Sequence, residues 1–248
     1  TEKFKSFANK LFSNPDTRMA LILNIDTSTS VCSVALAQNG HPLALKENKE
    51  GLNHSLLLGT FINDILKENG TEVSALDAIA VSMGPGSYTG LRIGVSMAKG
   101  LCYGASKPLI AVNTLQALAQ SVSSRIQEEA LYCPMIDARR MEVYTALFDK
   151  DNRTIQETKA EIIDPASFSE ILALQPVYFF GNGSDKVKTV LTSPQARFLA
   201  NIETSATNMV QLAEQKYETR NFEDVAYFEP FYLKDFIATT PKKNILKI

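Results

Sequence analysis

A glycine-rich loop, Gly84-Pro85-Gly86-Ser87-Tyr88-Thr89-Gly90, has the residue types that could hold an anion. Glycine lets backbone N–H groups approach a ligand closely, and a helix beginning after the loop would add partial positive charge. A shorter match, Gly181-Asn182-Gly183-Ser184, follows later in the chain. Neither segment has the Walker or the dinucleotide pattern, so each is either a phosphate cradle or a tight strand-to-helix corner.

The elements that must position these loops are predicted to occur twice in the same order. Leu21–Asp26 reads as a buried strand, and it is followed by two more strands, a helix over 54–68, the strand before the first glycine loop, and another helix. The same order restarts at Leu131, and Ile25-Asp26 matches Ile136-Asp137 at the offset that also relates Ala35-Leu36 to Ala146-Leu147. This repeated unit is the plan of the actin, sugar-kinase and Hsp70 ATPase fold. We therefore predict a duplicated actin-like α/β fold with two lobes and a degenerate nucleotide cleft.

In this fold the acids that end the first strand of each unit lie near magnesium and phosphate. Asp26 and Asp137 hold those positions here. Their corners, Thr27-Ser28-Thr29 and Ala138-Arg139-Arg140, lack the glycines and the positioned lysine of a working phosphate hairpin. We interpret the site as vestigial or shared with a partner, with ATP or ADP and magnesium as its possible ligands. Its candidate residues are Asp26, Gly84, Gly86, Ser87, Asp137, Gly181 and Gly183.

Four regions are predicted along the chain. Residues 1–19 form an N-terminal extension with an amphipathic pattern, which fits a membrane-surface helix, a helix folded back on the protein, or a leader before Met19. Residues 20–115 form the first lobe and residues 116–235 the second, whose last helix could pack back on the first. Residues 236–248 form a basic tail.

Composition limits the function classes. The formal net charge is −2, whereas a domain that binds nucleic acid alone is expected to be basic. The odd count of three cysteines indicates reduced core thiols rather than disulfides or a metal site. No apolar stretch reaches the ~18 residues of a membrane span. We predict a cytoplasmic protein that does not bind membranes.

The complete sequence of the first glycine loop, together with the Leu91-Arg92-Ile93-Gly94 that follows it, resembles the signature of the TsaB family and of its catalytic relative TsaD. Further segments that resemble TsaB follow in order over about residues 21–236. They are Ile25-Asp26-Thr27-Ser28, His54-Ser55, Ala111-Val112-Asn113-Thr114-Leu115, Asp137-Ala138-Arg139, Glu142-Val143-Tyr144 and Pro230-Phe231-Tyr232-Leu233-Lys234. The resemblance implies a non-catalytic dimerisation subunit of the bacterial tRNA threonylcarbamoyladenosine transferase.

Histidines separate this chain from the catalytic relative. TsaD carries a metal-binding histidine pair, whereas His41 and His54 are the two histidines here and show no metal-ligand spacing. We predict no catalytic residue and no metal, with His54 as a cap or a surface residue. The alternative from another class is a free-standing ATPase or kinase of this fold, or a glycoprotease-like peptidase.

The predicted helix over 54–68 and the predicted helix after the first glycine loop each carry more apolar surface than a single contact with the core needs. The resemblance implies that these helices join TsaB to TsaD, or to a second TsaB, with the ATPase TsaE and the tRNA entering through the assembly. Alone, the chain is expected to form a homodimer through the same surface. The predicted interface residues are Leu57, Leu58, Phe61, Ile65, Ile93, Met97 and Leu101.

Overall fold

Two five-stranded sheets form the framework of the computed structural model, which describes residues 20–51 and 53–233. The first sheet has the order β3-β2-β1-β4-β5. Its strands are β1 Leu21–Asp26, β2 Cys32–Gln38, β3 His41–Asn48, β4 Ala78–Gly84 and β5 Leu109–Asn113. β1 pairs antiparallel with β2 and parallel with β4, so the sheet is mixed.

The second sheet has the order β10-β9-β6-β7-β8. Its strands are β6 Leu131–Asp137, β7 Glu142–Phe148, β8 Thr154–Ile162, β9 Val177–Phe180 and β10 Ala196–Phe198. β6 pairs antiparallel with β7 and parallel with β9, as β1 does with β2 and β4. The two sheets therefore repeat one topology, and the predicted duplicated actin-like fold is confirmed.

The helices connect and cover these sheets. They are α1 His54–Glu68, α2 Tyr88–Ala105, α3 Thr114–Ile126, α4 Ser169–Leu172 and α5 Val210–Glu218, with short 3-10 turns at Val73–Ala75, Asp185–Val187 and Ala206–Met209. α1 and α2 pack on one face of the first sheet, and α5 packs on its other face. α3 lies between the lobes, since Ala117 packs with the first sheet and Leu118 with the second.

One predicted helix is much shorter than expected. The pattern from Asp164 to about Leu174 predicts a helix, but the chain turns until Ser169. Asp164 Oδ1 accepts hydrogen bonds from the N–H groups of Ala166 and Ser167, as a helix N-cap does, but the turn that follows does not continue as a helix. Phe168 then takes a left-handed conformation (φ 61°) that a continuous helix excludes.

The chain returns to the first lobe after Ile202, which packs in the second-lobe core. The residues after it lie on the first sheet, where Met209 and Leu212 join the core beneath β1 and β5. The sequence does not predict strand β10, and it predicts the last helix of the second-lobe region without bounds; that helix is α5. The predicted extension 1–19 and tail 236–248 lie outside the described residues, and no helix in the described part is long and apolar enough to cross a membrane.

Candidate functional site

The first glycine loop is bonded to the corner that follows β1. The N–H of Ser87 donates to the carbonyl oxygen of Ser28 at 2.6 Å, and the hydroxyl of Thr27 donates to the carbonyl oxygen of Gly90 at 2.7 Å. A Cβ at Gly86 would overlap the Ser28 carbonyl oxygen. The glycines thus let the loop approach its own hairpin corner, in the space that a phosphate would need.

Asp26 ends β1 as a buried carboxyl group, only 2% exposed. Its Oδ1 accepts hydrogen bonds from the N–H (2.9 Å) and the hydroxyl (2.6 Å) of Ser28. Burial raises the pKa of Asp26 above its ordinary value, although the Ser28 bonds, the Ser82 hydroxyl and the neighbouring His54 act in the opposite direction. The carboxyl group therefore holds the corner in place, and it is not presented to solvent as a magnesium ligand would be.

A small cavity lies between the corner after β1 and the end of β6. Thr29 and Ser30 line it from the first lobe, Ile136 and Asn182 from the second, and Thr204 from the crossover between them. The space that water-sized molecules can occupy there is about 10 Å³. That is close to the minimum for one water and far below the several hundred Å³ of a ligand pocket. This cavity is too small for a nucleotide.

The second corner differs in its exposure. The side chain of Asp137 is 48% exposed and forms an ion pair with Lys186, whose ammonium also donates to the Glu142 carbonyl oxygen at 2.6 Å. Asn182 of the second glycine segment accepts the N–H of Asp137 at 2.9 Å. The structure therefore brings Asp137, Gly181 and Gly183 together, but Asp137 already has a lysine partner at the surface.

The histidine at the start of α1 is not at the surface, so that part of the prediction is wrong. His54 is 3% exposed because its ring inserts beneath the first corner, where Nε2 lies 2.8 Å from the carbonyl oxygen of Thr29. Asn53 precedes it at the N-cap position, yet its side chain makes no capping hydrogen bond.

Nucleophilic chemistry gains no support from the cysteines. Burial raises the pKa of Cys32 to about 11 and those of Cys102 and Cys133 to about 12. The three thiols are buried, so they stay protonated at neutral pH and are out of reach of a substrate.

Helices α1 and α2 present a common outer surface, which we call the α1–α2 face. Leu56 is 75% exposed on it, and Gly59 lies against Met97, 3.9 Å from the Met97 methyl carbon to the position of an added Cβ. Small residues on the outer side of α2 leave room for a close helical neighbour. The partly exposed apolar residues of the two helices are Leu57 and Phe61 on α1 and Ile93, Met97 and Leu101 on α2.

Two residues predicted for this face lie elsewhere. Leu58 and Ile65 are fully buried in the first-lobe core, because they are on the side of α1 that packs against β2. A partner could not reach them without unfolding the lobe. The apolar pattern on α1 therefore serves two purposes, with Leu58 and Ile65 in the core and Leu57 and Phe61 at the rim.

Comparison with known proteins agrees with this architecture. The family model described as TsaD, tRNA N6-adenosine threonylcarbamoyltransferase, matches residues 49–242. The TsaB protein of Escherichia coli, named as a tRNA threonylcarbamoyladenosine biosynthesis protein, is 32% identical over 88% of this chain and 96% of its own length. The chain belongs to the TsaB family. TsaB of Bacillus subtilis is also 32% identical, over 68% of this chain and 74% of that protein.

A solved TsaB-like structure shows the same fold. A Pseudomonas aeruginosa protein, described as similar to the peptidase YeaZ, superposes with a TM-score of 0.77 at 29% identity, covering 87% of this chain and all of the other. In the present TsaB-family chain, the peptidase alternative has no support from the buried thiols or from His54, whose Nε2 is engaged by a backbone carbonyl.

Residues 222–233 form a strap across the first lobe of this TsaB-family chain that the sequence analysis missed. The ammonium of Lys99 donates to the carbonyl oxygens of Ala226 (3.1 Å) and Phe228 (2.9 Å). Nearer the loop, the rings of Tyr88 and Tyr232 lie 4.9 Å apart, and the Arg92 guanidinium lies over Tyr88. The aromatic residues near the C-terminus were the available signal for the strap. It fixes one side of α2 and, within the described part of the chain, leaves Leu56 on α1 exposed.

Proposed function

We propose that this chain is a non-catalytic scaffold and dimerisation subunit in the biosynthesis of threonylcarbamoyladenosine in tRNA. It binds a TsaD-type catalytic subunit through the α1–α2 face and, with it, the ATPase TsaE. Transfer RNA is held by the assembly, consistent with a net charge of −2. Without the catalytic subunit, the chain forms a homodimer through the same face.

The observation that carries this proposal is the contrast between the cavity at the first corner and the α1–α2 face. The cavity between Thr29 of the first lobe and Ile136 of the second has room for about one water, which is too little for a nucleotide. The α1–α2 face instead exposes apolar side chains beside glycines, as at Leu56 and Gly100, whose added Cβ would meet nothing within 4 Å. A surface of this kind fits a partner helix better than a small substrate.

The interface is tested by charge substitutions on the face. Leu56→Asp, Phe61→Asp and Met97→Glu should each abolish homodimerisation in light scattering and prevent capture of the catalytic subunit. Leu56 gives the cleanest variant, because its side chain is largely exposed and its loss leaves the core intact. Leu174→Asp is the matched control, since Leu174 is equally exposed on the second lobe. Variants that remain dimeric and still capture the partner would refute the interface.

The role in modification is tested separately. Purified TsaD and TsaE, supplied with ATP and with threonylcarbamoyl-adenylate as the group donor, should modify tRNA only when this chain is added, and Leu56→Asp should not restore the activity. The isolated chain should show no modification by itself. Equal activity with and without the chain would contradict a required scaffold.

The free-standing ATPase alternative makes a different prediction. It requires tight Mg-ATP binding and turnover by the isolated chain, both lost in Asp26→Ala. Calorimetry and a turnover assay measure the two quantities. Robust hydrolysis that depends on Asp26 would overturn the scaffold proposal, whereas weak binding without turnover fits a site completed by a partner.

A further inference from the structure

His54 connects helix α1 to the first corner through one buried hydrogen bond. A carbonyl oxygen can only accept, so the proton between His54 Nε2 and Thr29 O belongs to the imidazole. His54 is the first residue of α1, and its Nδ1 is buried and has no hydrogen-bond partner among the residues that the structure describes. The position of the ring, and with it the start of α1, therefore depends on where the Thr29 carbonyl points.

Thr29 is also bonded to the place where the chain crosses between lobes. Its hydroxyl lies 2.7 Å from the hydroxyl of Thr204, and both side chains are buried. Thr204 stands between Ile202, in the second-lobe core, and Ala206, in the first-lobe core. Thr29 thus contacts the start of α1 through its backbone and the interlobe crossover through its side chain.

The corner that contains Thr29 is held rigidly by hydrogen bonds on both sides. On one side Ser28 is held by Asp26 and by the N–H of Ser87. On the other side the N–H of Ala206 donates to the Ser33 hydroxyl at 2.8 Å, which fixes the residues next to Thr204. Close-packed, hydrogen-bonded segments transmit a displacement instead of deforming. A shift of the crossover should therefore reach His54.

We propose that His54 is a positioning residue that couples the α1–α2 face to the relative position of the lobes, through Thr29 and Thr204. Binding at the face and the relative position of the lobes then influence each other by the same amount, because a coupling free energy acts equally in both directions. The coupling path follows from the contacts alone. What binds at the face rests on the proposed function.

The path is tested first in the isolated chain by hydrogen exchange. Thr204→Val removes the hydroxyl and keeps the shape, and it should speed exchange of the backbone amides in the first turn of α1 about fivefold. Thr204→Ser keeps the hydroxyl and should restore the wild-type rate. Thr207→Val is the control, since the Thr207 hydroxyl contacts only Ser205 of its own segment. If the Ala206 amide exchanges faster while the exchange rates in the first turn of α1 stay unchanged, the proposal is overturned.

Association gives the second readout. Thr204→Val should weaken homodimerisation about 5- to 10-fold, although Thr204 is not on the α1–α2 face. His54→Asn should weaken homodimerisation as well. The double variant should lose no more affinity than the single variant with the larger loss, because both residues act on one path. Additive losses would contradict the path. If the wild-type chain does not associate at all, the proposed function fails, and the exchange experiment still decides the coupling.

Discussion

The corners after β1 and β6 occupy equivalent places in the two lobes, yet they have opposite environments. Asp26 is buried, and its corner contacts the glycine loop, helix α1 and the interlobe crossover. Asp137 is half exposed and pairs with Lys186 at the surface. The first corner is a structural junction and the second is a solvated turn.

This difference shows how one duplicated framework can carry two corners of different character. In the first lobe, the corner is bonded to the glycine loop, through Ser87 N–H to Ser28 O. In the second lobe, the acid forms an ion pair with a lysine. In each lobe the polar groups of the corner are satisfied within the protein.

The largest expected effect tests the packing of the first corner. Gly86→Ala should lower the free energy of unfolding by about 3 kcal/mol or more, because the added methyl overlaps the rigid backbone of Ser28. Gly183→Ala should cost less, about 1–3 kcal/mol, since its Cβ would lie 2.9 Å from the Ile136 carbonyl carbon. Urea unfolding measures both.

Gly104→Ala is the control for these variants. Gly104 lies in α2 with no atom within 4 Å of an added Cβ, so the change should stabilise the helix by about 0.5–1 kcal/mol. Equal losses of unfolding free energy for Gly86→Ala and Gly183→Ala would show that the two corners are packed alike. That result would contradict the difference between their environments.

A smaller effect distinguishes the two acids. Because burial raises the pKa of Asp26 in the folded state, its contribution to stability is present below the unfolded pKa of about 3.9 and is lost as the pH rises through the folded pKa. Asp26→Asn should therefore raise the unfolding midpoint at pH 7 and flatten its dependence on pH. Asp137→Asn should change stability by no more than about 0.5 kcal/mol.

Thermal unfolding from pH 4 to pH 8 measures this contrast. Asparagine keeps an oxygen that can accept the Ser28 bonds, so the variant isolates the charge. A loss of stability in Asp26→Asn across the whole range would mean that the ionised carboxylate stabilises the corner.

A further small effect concerns Lys186, the ion-pair partner of Asp137. Lys186→Met should cost about 0.5–1 kcal/mol, the range of a partly exposed ion pair with one additional hydrogen bond. The loss should shrink with added salt, because exposed charges are screened. Denaturant unfolding at two salt concentrations measures it, and a salt-independent loss would indicate a packing role for the lysine stem.

Much of the fold could be predicted from local patterns. The apolar runs gave β1 and β6, the repeated acids and glycines gave the duplication, and α3 was placed at Thr114–Ile126. The region after Leu174 was predicted less well, because β10 has three residues and the strap has no periodicity. The residues after Asp164 have a continuous helical pattern, but the chain forms a turn at Asp164 and Phe168 takes a left-handed conformation, so the helix there is short.

The sequence by itself determined the family, the repeated unit and the pairing of each acid with a glycine segment, since these follow from residue type, order and spacing. Only the tertiary structure decided which residues remain at the surface. It buried Leu58, Ile65 and His54, left a small cavity beside Thr29 and Thr204, and left Asp137 half exposed. The physical reason is that burial depends on contacts between distant segments, and one amphipathic helix pattern serves equally for a core face and for an interface.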